Sequence, residues 1–472
     1  METLTLFITH INEILWSYIL IVLLIGLGLY FTVRTKFVQI RYLVEMVRLL
    51  AEGVGTQRMG NQISSFQAFC VSTASRVGVG NIAGVAIAIV LGGPGAIFWM
   101  WVVAIVGSAT GFVESTLAQI YKLPKGKWTF HGGPAYYIQN VLHMPGLAKL
   151  FSVLLVITFA LVYNSLQANT ITLSLVSAFG WDRTITGAVV SLLLALVLCG
   201  GAHFVARVAE MLVPVMAGAY LLIALVVIIM HFGQLPAVFA LIVSNAFAPQ
   251  AAVAGGFGAC VMTGIKRGLF SNEAGEGSVP NAAATAYVTH PVKQGLIQAF
   301  GVYVDTLLIC SASAALVLLT GVYEIGGQLT GIELIQHSLA IEVGSWAIVF
   351  IGVMIMMFAF SSLVGNYYYG EINLAFLTDS KMALYVFRAA VVAMTMFGSI
   401  ASLPLVWNLA DLFMAFLAAT NLYAIFRLFP YAKIALDDYE RQRGQNFDAD
   451  FDPHVLPSLD GVYAWGMEKE KE

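Results

Sequence analysis

Charged residues are scarce in this sequence. Only 10% of its 472 residues are Asp, Glu, Lys or Arg, whereas 59% are hydrophobic, and the mean hydropathy is +0.85. Soluble domains carry about 25% charged residues. The chain is therefore expected to be an integral membrane protein, and its apolar runs of roughly 20 residues predict spanning helices rather than barrel strands. No basic nucleic-acid-binding face is visible, and the net charge of −3 says nothing about partners.

Cysteine is rare, and the common catalytic motifs are missing. The four cysteines lie in apolar segments without metal or redox spacing, so we interpret them as small buried side chains. The sequence contains no HExxH motif, no nucleophile elbow and no P-loop. We therefore expect a protein that is not an enzyme and has no catalytic residues. The cysteines are Cys70, Cys199, Cys260 and Cys310.

About eleven apolar segments are long enough to span a membrane, and glycines and charges interrupt two of them. We interpret the first as an extra helix, and the other ten form two groups of five. An odd number of spans in each group forces opposite orientations, which predicts an all-α membrane protein with a 5+5 inverted repeat. The predicted spans are roughly 14–33, 64–91 (interrupted), 95–121, 150–178, 184–201, 209–231, 251–287 (interrupted), 294–320, 346–376, 384–402 and 407–429.

Positive charge predicts the orientation of these spans. With the N-terminus outside, every Lys and Arg falls in an inner loop or in the tail, except Arg183 and three residues inside the interrupted spans, Arg76, Lys266 and Arg267. The tail is expected to be cytoplasmic and loosely ordered, and its residues 463–467 are able to lie against the membrane surface. The predicted divisions are an N-terminal helix and cytoplasmic connector (1–63), a first repeat (64–232), a second repeat (233–431) and a polar cytoplasmic tail (432–472).

The two interrupted spans correspond to each other. The interruptions lie at residues 75–81 and 272–278. Glycines and charges within an apolar helix are costly unless the backbone unwinds there around something polar. A matched pair in two halves indicates a transporter binding site near the bilayer midplane. At one constant offset, Gly78 aligns with Gly275 and Gly80 with Gly277.

Unwinding at the first interruption would expose two kinds of backbone group. The N–H groups of Gly78, Val79, Gly80 and Asn81 would begin the second half-helix and suit a substrate carboxylate. The carbonyls that end the first half-helix, from Ala74 to Val77, would face a cation. Alternatively, the glycines only permit close packing of helices.

Polar side chains in two other spans are further candidates. Asn164 and Gln167 are three residues apart and share one helix face, from which their amides can bind an ammonium and a carboxylate. Ser361 and Ser362 offer hydroxyl oxygens of the kind that sodium accepts. The alternatives are that the amides hold helices together and that the hydroxyls bond to the preceding helical turn.

The second interruption brings several charges into the membrane, so most of them must be paired or hydrated. We expect Arg76 to neutralise Glu273 or Glu276 across the pseudo-twofold axis. Lys266 and Arg267 are expected to pair with Asp305 or Glu114.

Three blocks of the sequence resemble one transporter family. Residues 92–101, Gly-Gly-Pro-Gly-Ala-Ile-Phe-Trp-Met-Trp, are similar to the signature of the alanine or glycine:cation symporter family, and blocks at 268–278 and 402–408 are similar to other family blocks. The likeness runs from about Leu15 to Tyr431. It implies the leucine-transporter fold and sodium-coupled import of a small neutral amino acid, alanine, glycine or glutamine, across the plasma membrane by alternating access.

The resemblance also implies roles for the candidate residues. Gly78 to Asn81 would hold the substrate carboxylate, and the substrate pocket would be completed by Asn164, Gln167, Ser271, Asn272, Gly275 and Asn366. Sodium would be held by the carbonyls of Ala74 and Val77 and by the hydroxyls of Ser361 and Ser362.

Two positions depart from the family pattern. Alanine-transporting members carry tryptophan where this chain has Asn366, and some members have a small hydroxyl residue in place of Arg76. A smaller amide would widen the pocket and make it more polar, which favours a longer substrate such as glutamine. Two alternatives to sodium symport stay open: a proton-coupled symporter that titrates Glu273, Glu276 or Asp305, and an amino acid sensor or channel on the same scaffold.

Overall fold

The computed structural model describes most of the chain, with five internal gaps. The described residues are 2–55, 62–126, 129–198, 201–247, 256–445 and 448–465, and the side chains of 2–6, 55, 201–210 and 256–257 are not described.

Almost all regular structure in the described residues is helical. A single two-stranded antiparallel sheet pairs β1 (Leu123–Gly126) with β2 (Thr129–His131). Short 3₁₀ turns occupy Phe232–Gln234 and Pro453–Val455. The helices are α1 (Phe7–Arg34), α2 (Val38–Arg41), α3 (Leu43–Gly55), α4 (Ser65–Arg76), α5 (Gly80–Gly92), α6 (Gly95–Ile120), α7 (Pro134–Asn140), α8 (Pro145–Phe179), α9 (Arg183–Leu198), α10 (Gly201–Met230), α11 (Leu235–Phe247), α12 (Gly256–Asn272), α13 (Val279–Ala283), α14 (Pro291–Thr320), α15 (Gly331–Val343), α16 (Trp346–Leu377), α17 (Lys381–Ile400) and α18 (Leu403–Gly444).

Local sequence signals explain where key helices begin. Helix α4 starts with a capping box, in which Ser64 Oγ accepts the N–H of Gln67 and Gln67 Oε1 accepts the N–H of Ser64, both at 3.2 Å. Helices α8 and α14 begin at Pro145 and Pro291, positions where the missing N–H of proline costs nothing. These starts fix the depth at which the later residues of each helix lie.

The long helices pack in a pattern that relates the two halves. Helix α6 lies along α14, and α8 lies along α16, so equivalent helices of the two predicted repeats contact each other. Helix α17 packs against both α8 and α9, while α4 lies between α10 and α16. The interrupted helices are therefore held between long uninterrupted ones.

Eight helices among the described residues are long and apolar enough to cross a membrane, and the bent pair α4–α5 makes a ninth span. The chain is thus a multi-pass membrane protein. The start of the predicted span 251–287 lies outside the described residues, and the total of eleven spans stays a prediction. Helices α11 and α15 lie between the predicted spans and were not predicted from the sequence.

The C-terminal region differs from the expectation. Helix α18 runs through the predicted boundary at 431/432 to Gly444, and residues 448–465 then fold back onto the protein. The Phe451 N–H donates to the Thr289 carbonyl at 2.9 Å, and Trp465 packs against a small apolar cluster of the protein. Residues 466 and 467 of the segment 463–467 lie outside the described residues. The prediction of a loosely ordered tail is therefore wrong for residues 448–465. We call the end of the bundle that carries Arg41, Lys122 and Lys293 the basic end.

Candidate functional site

Both predicted interruptions are present, and they lie side by side. Helix α4 ends at Arg76 and α5 begins at Gly80, with a bend of 53° between them. Helix α12 ends at Asn272 and α13 begins at Val279, with six residues between them. Asn81 Nδ2, just after the first interruption, donates to Ser271 Oγ, just before the second, at 2.7 Å. The same amide donates to the Asp305 carbonyl at 3.1 Å.

The glycines serve different purposes in the two interruptions. Gly275 and Gly277 have φ angles of +99° and +80°, which L side chains rarely adopt. Gly78 instead provides space, because a Cβ there would collide with Ser362 Oγ and lie 3.1 Å from the Gln167 amide. Gly80 makes room for the ring of Phe270 in the same way.

The N–H groups of the first interruption point at side-chain oxygens. The Gly78 N–H donates to Asn81 Oδ1 at 3.1 Å, and the Val79 N–H donates to Gln167 Oε1 at 3.2 Å. Gln167 and Asn81 are buried. The predicted donors thus face inward as a pair, which is a suitable geometry for an anionic group.

Oxygen atoms from α4 and α16 converge beside this pair. Ser362 Oγ lies 2.9 Å from the Ala74 carbonyl and 3.1 Å from the Phe358 carbonyl, and Ser361 Oγ lies 3.4 and 2.8 Å from the same two atoms. The Ala74 and Val77 carbonyls lie at the C-terminus of α4, where the helix leaves them without intrahelical partners and the dipole is negative. The Ala74 and Phe358 carbonyls and the two hydroxyls are hard oxygen donors of the kind that a sodium ion accepts.

The serine–carbonyl contacts also bear on the alternative interpretation of the serines. Both hydroxyls do bond to the preceding turn through Phe358. They reach across to α4 as well, so a purely local role does not account for their positions. Phe358 was not predicted, although a carbonyl three and four residues before two serines is the position that helical geometry brings next to them.

Asn164 and Asn366 lie near the same helices with part of each amide unpaired. Asn164 Nδ2 donates to the Leu363 carbonyl at 3.2 Å, while its Oδ1 has no protein partner. Asn366 Oδ1 lies 2.8 Å from Ser75 Oγ, and its buried Nδ2 has no protein partner. A buried donor or acceptor without a partner is costly, so these atoms are candidates for contact with a ligand.

The second interruption is held by its own carboxylates and by α6. Ser75 Oγ lies 2.8 Å from Glu273 Oε1, and Ser278 Oγ donates to Glu273 Oε2 at 2.5 Å. The Gly275 N–H donates to Glu114 Oε1 at 3.3 Å, so Gly275 faces α6 rather than the first interruption.

Two other residues belong to the same region. Asn272 caps its own turn, with Oδ1 accepting the Ala274 N–H at 3.0 Å. The hydroxyl of Tyr163 donates to Glu276 Oε2 at 3.0 Å.

The predicted ion pairs were wrong. Arg76 does not pair with Glu273 or Glu276, since its nearest carboxylate is Asp305 at 3.7 Å, and it also donates to Gln298 Oε1 at 2.7 Å. It thereby joins α4 to α14.

Lys266 and Arg267 pair with neither Asp305 nor Glu114. Both lie against Asp411 of α18, with Lys266 Nζ 3.7 Å from Asp411 Oδ2 and Arg267 bonded to Asp411 Oδ1.

Side-chain contacts close the space around the two interruptions on both sides. Away from the basic end, the rings of Tyr163 and Phe270 lie 4.7 Å apart, Phe270 and Trp407 lie 5.0 Å apart, and Arg267 stacks on Trp407 at 4.3 Å. Towards the basic end, Asn373 Nδ2 donates to Asn281 Oδ1 at 3.0 Å.

These closing contacts were not predicted from the sequence. The four-residue spacing of Trp407 and Asp411, which places them on one face of α18, was the signal available.

Comparison with known proteins shows which protein family this chain matches. A sequence profile described as the sodium:alanine symporter family matches residues 1–453. A probable sodium/glutamine symporter, GlnT, from Bacillus subtilis (strain 168) is 51% identical, with 98% of this chain and 96% of that protein covered. The amino-acid carrier protein AlsT from the same organism is 47% identical, with 98% and 97% covered.

Comparison with solved structures confirms the fold. A sodium-coupled sialic acid symporter in an outward-open state has a TM-score of 0.51 at 14% identity, and the match covers 84% of this chain and 86% of that one. At this identity the likeness concerns the architecture alone. The helical transporter fold predicted from the sequence is therefore confirmed.

Proposed function

This chain belongs to the sodium:alanine symporter family, and we propose on that basis that it imports a small neutral amino acid together with sodium. The observation that carries the proposal is the convergence of three features at one place: paired N–H groups at Gly78 and Val79, the Gln167 amide, and the oxygen cluster between α4 and α16. A zwitterion needs opposite fields a few ångströms apart, and an unwound helix supplies both.

The substrate carboxylate would bind the N–H groups of Gly78 to Asn81. The oxygens of Asn81 and Gln167 that accept these N–H groups would give way to the carboxylate oxygens. Gln167 and Asn164 would then contact the carboxylate and the ammonium. Ser271 would border the same space through its bond to Asn81.

Sodium would be held by the carbonyls of Ala74, Val77 and Phe358 and by the hydroxyls of Ser361 and Ser362. The ion supplies positive charge between α4 and α16, joining the interrupted helix to an uninterrupted one. A Cβ on Gly78 would touch Ser362, so Gly78 of the proposed carboxylate site lies directly beside a proposed sodium ligand. Binding of either would therefore favour the other to the same extent.

Among alanine, glycine and glutamine, the site favours glutamine. The unpaired Nδ2 of Asn366 is a buried donor, and a side-chain carbonyl of the substrate would satisfy it. Alanine and glycine offer no such acceptor. The name of the B. subtilis relative GlnT, a probable sodium/glutamine symporter, supports the same choice.

Alternating access would open the site to each side in turn. The contacts of Phe270 with Tyr163 and Trp407 would form the outer closure, and the Asn281–Asn373 contact the inner one. The basic end would face the cytoplasm of a cell whose plasma membrane holds the protein, following the distribution of Lys and Arg. Membrane lipid is then the surrounding partner, and no nucleic acid is involved.

The test is uptake by purified protein in liposomes. An imposed inward sodium gradient should drive accumulation of radiolabelled glutamine, and a panel of twenty unlabelled amino acids should compete in an order that begins with glutamine. Uptake that ignores sodium but follows a proton gradient would contradict sodium coupling. Competition by alanine at far lower concentration than glutamine would contradict the substrate assignment.

A further inference from the structure

The two interrupted helices are joined at the basic end by backbone contacts. The Tyr287 N–H, beyond α13, donates to the Ile63 carbonyl, just before α4, at 3.0 Å. Ile63 and Ala286 form an isolated parallel bridge. Gln119 of α6 adds a side-chain bond from Nε2 to the Ala286 carbonyl at 2.9 Å. Segments from both predicted repeats therefore meet here.

Trp465 covers this junction. Its side chain packs on a small apolar cluster formed by Ala68 of α4 with Ala286 and Val288, which follow α13. Its indole N–H donates to the Gln119 carbonyl at 3.0 Å. One side chain from the C-terminal segment thus contacts the ends of both interrupted helices and of α6.

Lys122 reinforces the same place. Its Nζ lies 4.5 Å from the centre of the Trp465 ring and 4.1 Å from that of Phe130, and it donates to the Ala286 carbonyl at 3.2 Å. A cation stacked on a tryptophan face contributes more when both are shielded from water, and Lys122 is 2% exposed.

The segment that delivers Trp465 is anchored on α14. Thr289, two residues before that helix, accepts the Phe451 N–H and donates its hydroxyl to the Ala449 carbonyl, both at 2.9 Å. Lys293 lies 2.6 Å from the Asp448 carboxylate. The ring of Phe451 lies 5.1 Å from that of Trp465, which connects the anchor to the covering residue.

We propose that residues 448–465 form a strap that holds together the basic ends of α4, α6 and α14 and the segment that follows α13. Trp465 is the positioning residue of this strap. Opening towards the basic end requires α4 to leave its neighbours there. Every strap contact would then have to break or move with it. The strap therefore weights the conformational equilibrium of the transporter against opening on this side.

The test uses a cysteine that the chain already has. Cys70 is buried on α4, two residues beyond Ala68, and Cys260 is buried on α12, away from the basic end. Purified protein is treated with a maleimide without sodium or amino acid, and modification of each cysteine is followed by mass spectrometry. Trp465→Ala should raise the rate at Cys70 by about fivefold or more, the lower range of conformational coupling, while the Cys260 rate stays the same.

Two further variants distinguish a specific effect of the strap from a general loosening of the fold. Tyr463→Ala removes a neighbouring aromatic ring that is 52% exposed, and it should leave both cysteines at the wild-type rate. Trp465→Phe keeps a ring over Lys122 but loses the N–H to Gln119, and it should give an intermediate rate at Cys70.

Equal labelling of Cys70 in Trp465→Ala and wild type would overturn the proposal. A parallel increase at Cys70 and Cys260 would overturn it too, since it would mean that the variant only loosens the fold. The readout needs neither transport nor a known substrate, so failure of the assigned function would leave the strap result interpretable.

Discussion

The hydroxyl of Ser362 lies 2.9 Å from the carbonyl oxygen of Ala74, across 288 residues of sequence. The contact joins α16 to the end of the first half-helix, where the chain bends by 53°. The hydroxyl donates to this carbonyl, and a cation between the two oxygens would replace that hydrogen bond with two ligand contacts, so the bend and the ion site depend on each other.

Ser362→Ala should weaken sodium binding. It removes one of the proposed ligands, and hydrogen bonds or ligand contacts to a charged group contribute about 1.5–3 kcal/mol, which corresponds to about tenfold or more in affinity. The measurement is the sodium concentration for half-maximal uptake. Ser399→Ala is a matched control on α17, because the Ser399 hydroxyl donates to the Thr395 carbonyl of its own helix. An unchanged sodium dependence in Ser362→Ala would place the ion elsewhere.

Gly78→Val should abolish substrate binding while the protein remains folded. The new side chain would occupy space between Ser362 and Gln167, where the carboxylate approaches. Substrate-dependent thermal stabilisation of the purified protein measures the loss. Gly26→Ala is the control, since nothing lies within 4 Å of a Cβ at that position. Wild-type affinity in Gly78→Val would remove the argument for a carboxylate site there.

Asn366→Trp should change selectivity from glutamine towards alanine or glycine. A large ring would fill the space beside Ser75 and remove the unpaired amide donor. Competition of unlabelled amino acids against sodium-driven uptake gives the ratio of affinities, which we expect to shift by about tenfold, as for other losses of a buried hydrogen bond. If the order of competitors stays the same, Asn366 does not line the pocket.

Asp411→Asn should destabilise the protein, because Asp411 is the carboxylate that balances both Lys266 and Arg267. Removing one member of a buried pair costs about 3–5 kcal/mol, since it leaves the other charge uncompensated. The loss should appear as a lower melting temperature in detergent. Combining Asp411→Asn with Arg267→Gln should recover part of the stability; a double variant as unstable as the sum of both single ones would show that the charges are not coupled.

His290 should make stability fall in acid. Burial, the largest influence, lowers its pKa below the usual value, and its Nδ1 accepts the Val292 N–H at 3.2 Å, which a protonated ring cannot do. The unfolded chain therefore binds the proton more readily, so the stabilisation is complete above about pH 6.5 and is lost as the pH falls below it.

His290→Asn keeps an acceptor for that N–H and should flatten the melting temperature between about pH 7 and 5. A melting temperature that falls equally in the variant and in the wild type would assign the acid sensitivity to other groups.

The features that sequence predicted well are those that a single segment carries. The interruptions at Gly78 and Gly275 were visible because glycine and charge are costly within an apolar helix. The all-α inverted repeat followed from the apolar spans, whereas the leucine-transporter fold was implied by the resemblance of three sequence blocks to a known family. Ser361 and Ser362 were candidates because their hydroxyl oxygens are ligands of the kind that sodium accepts, and the structure brings them to Ala74.

The ion pairs could not be predicted, because they depend on which helices cross at one depth. Asp411 lies 144 residues from Arg267 and looked like an ordinary residue of the last span. The strap was missed for another reason. Polar composition indicated solvent exposure for residues 448–465, but their backbone groups bond to α14, and Phe451 is 5% exposed.

The backbone conformation of Glu273 restricts which residues can replace it during evolution. Its φ angle of +54° is left-handed, which costs a non-glycine residue roughly 1–2 kcal/mol. Glycine would avoid that cost but would abandon the contacts with Ser75 and Ser278. Lineages that lose either hydroxyl should therefore drift to glycine at 273, and the three positions should vary together.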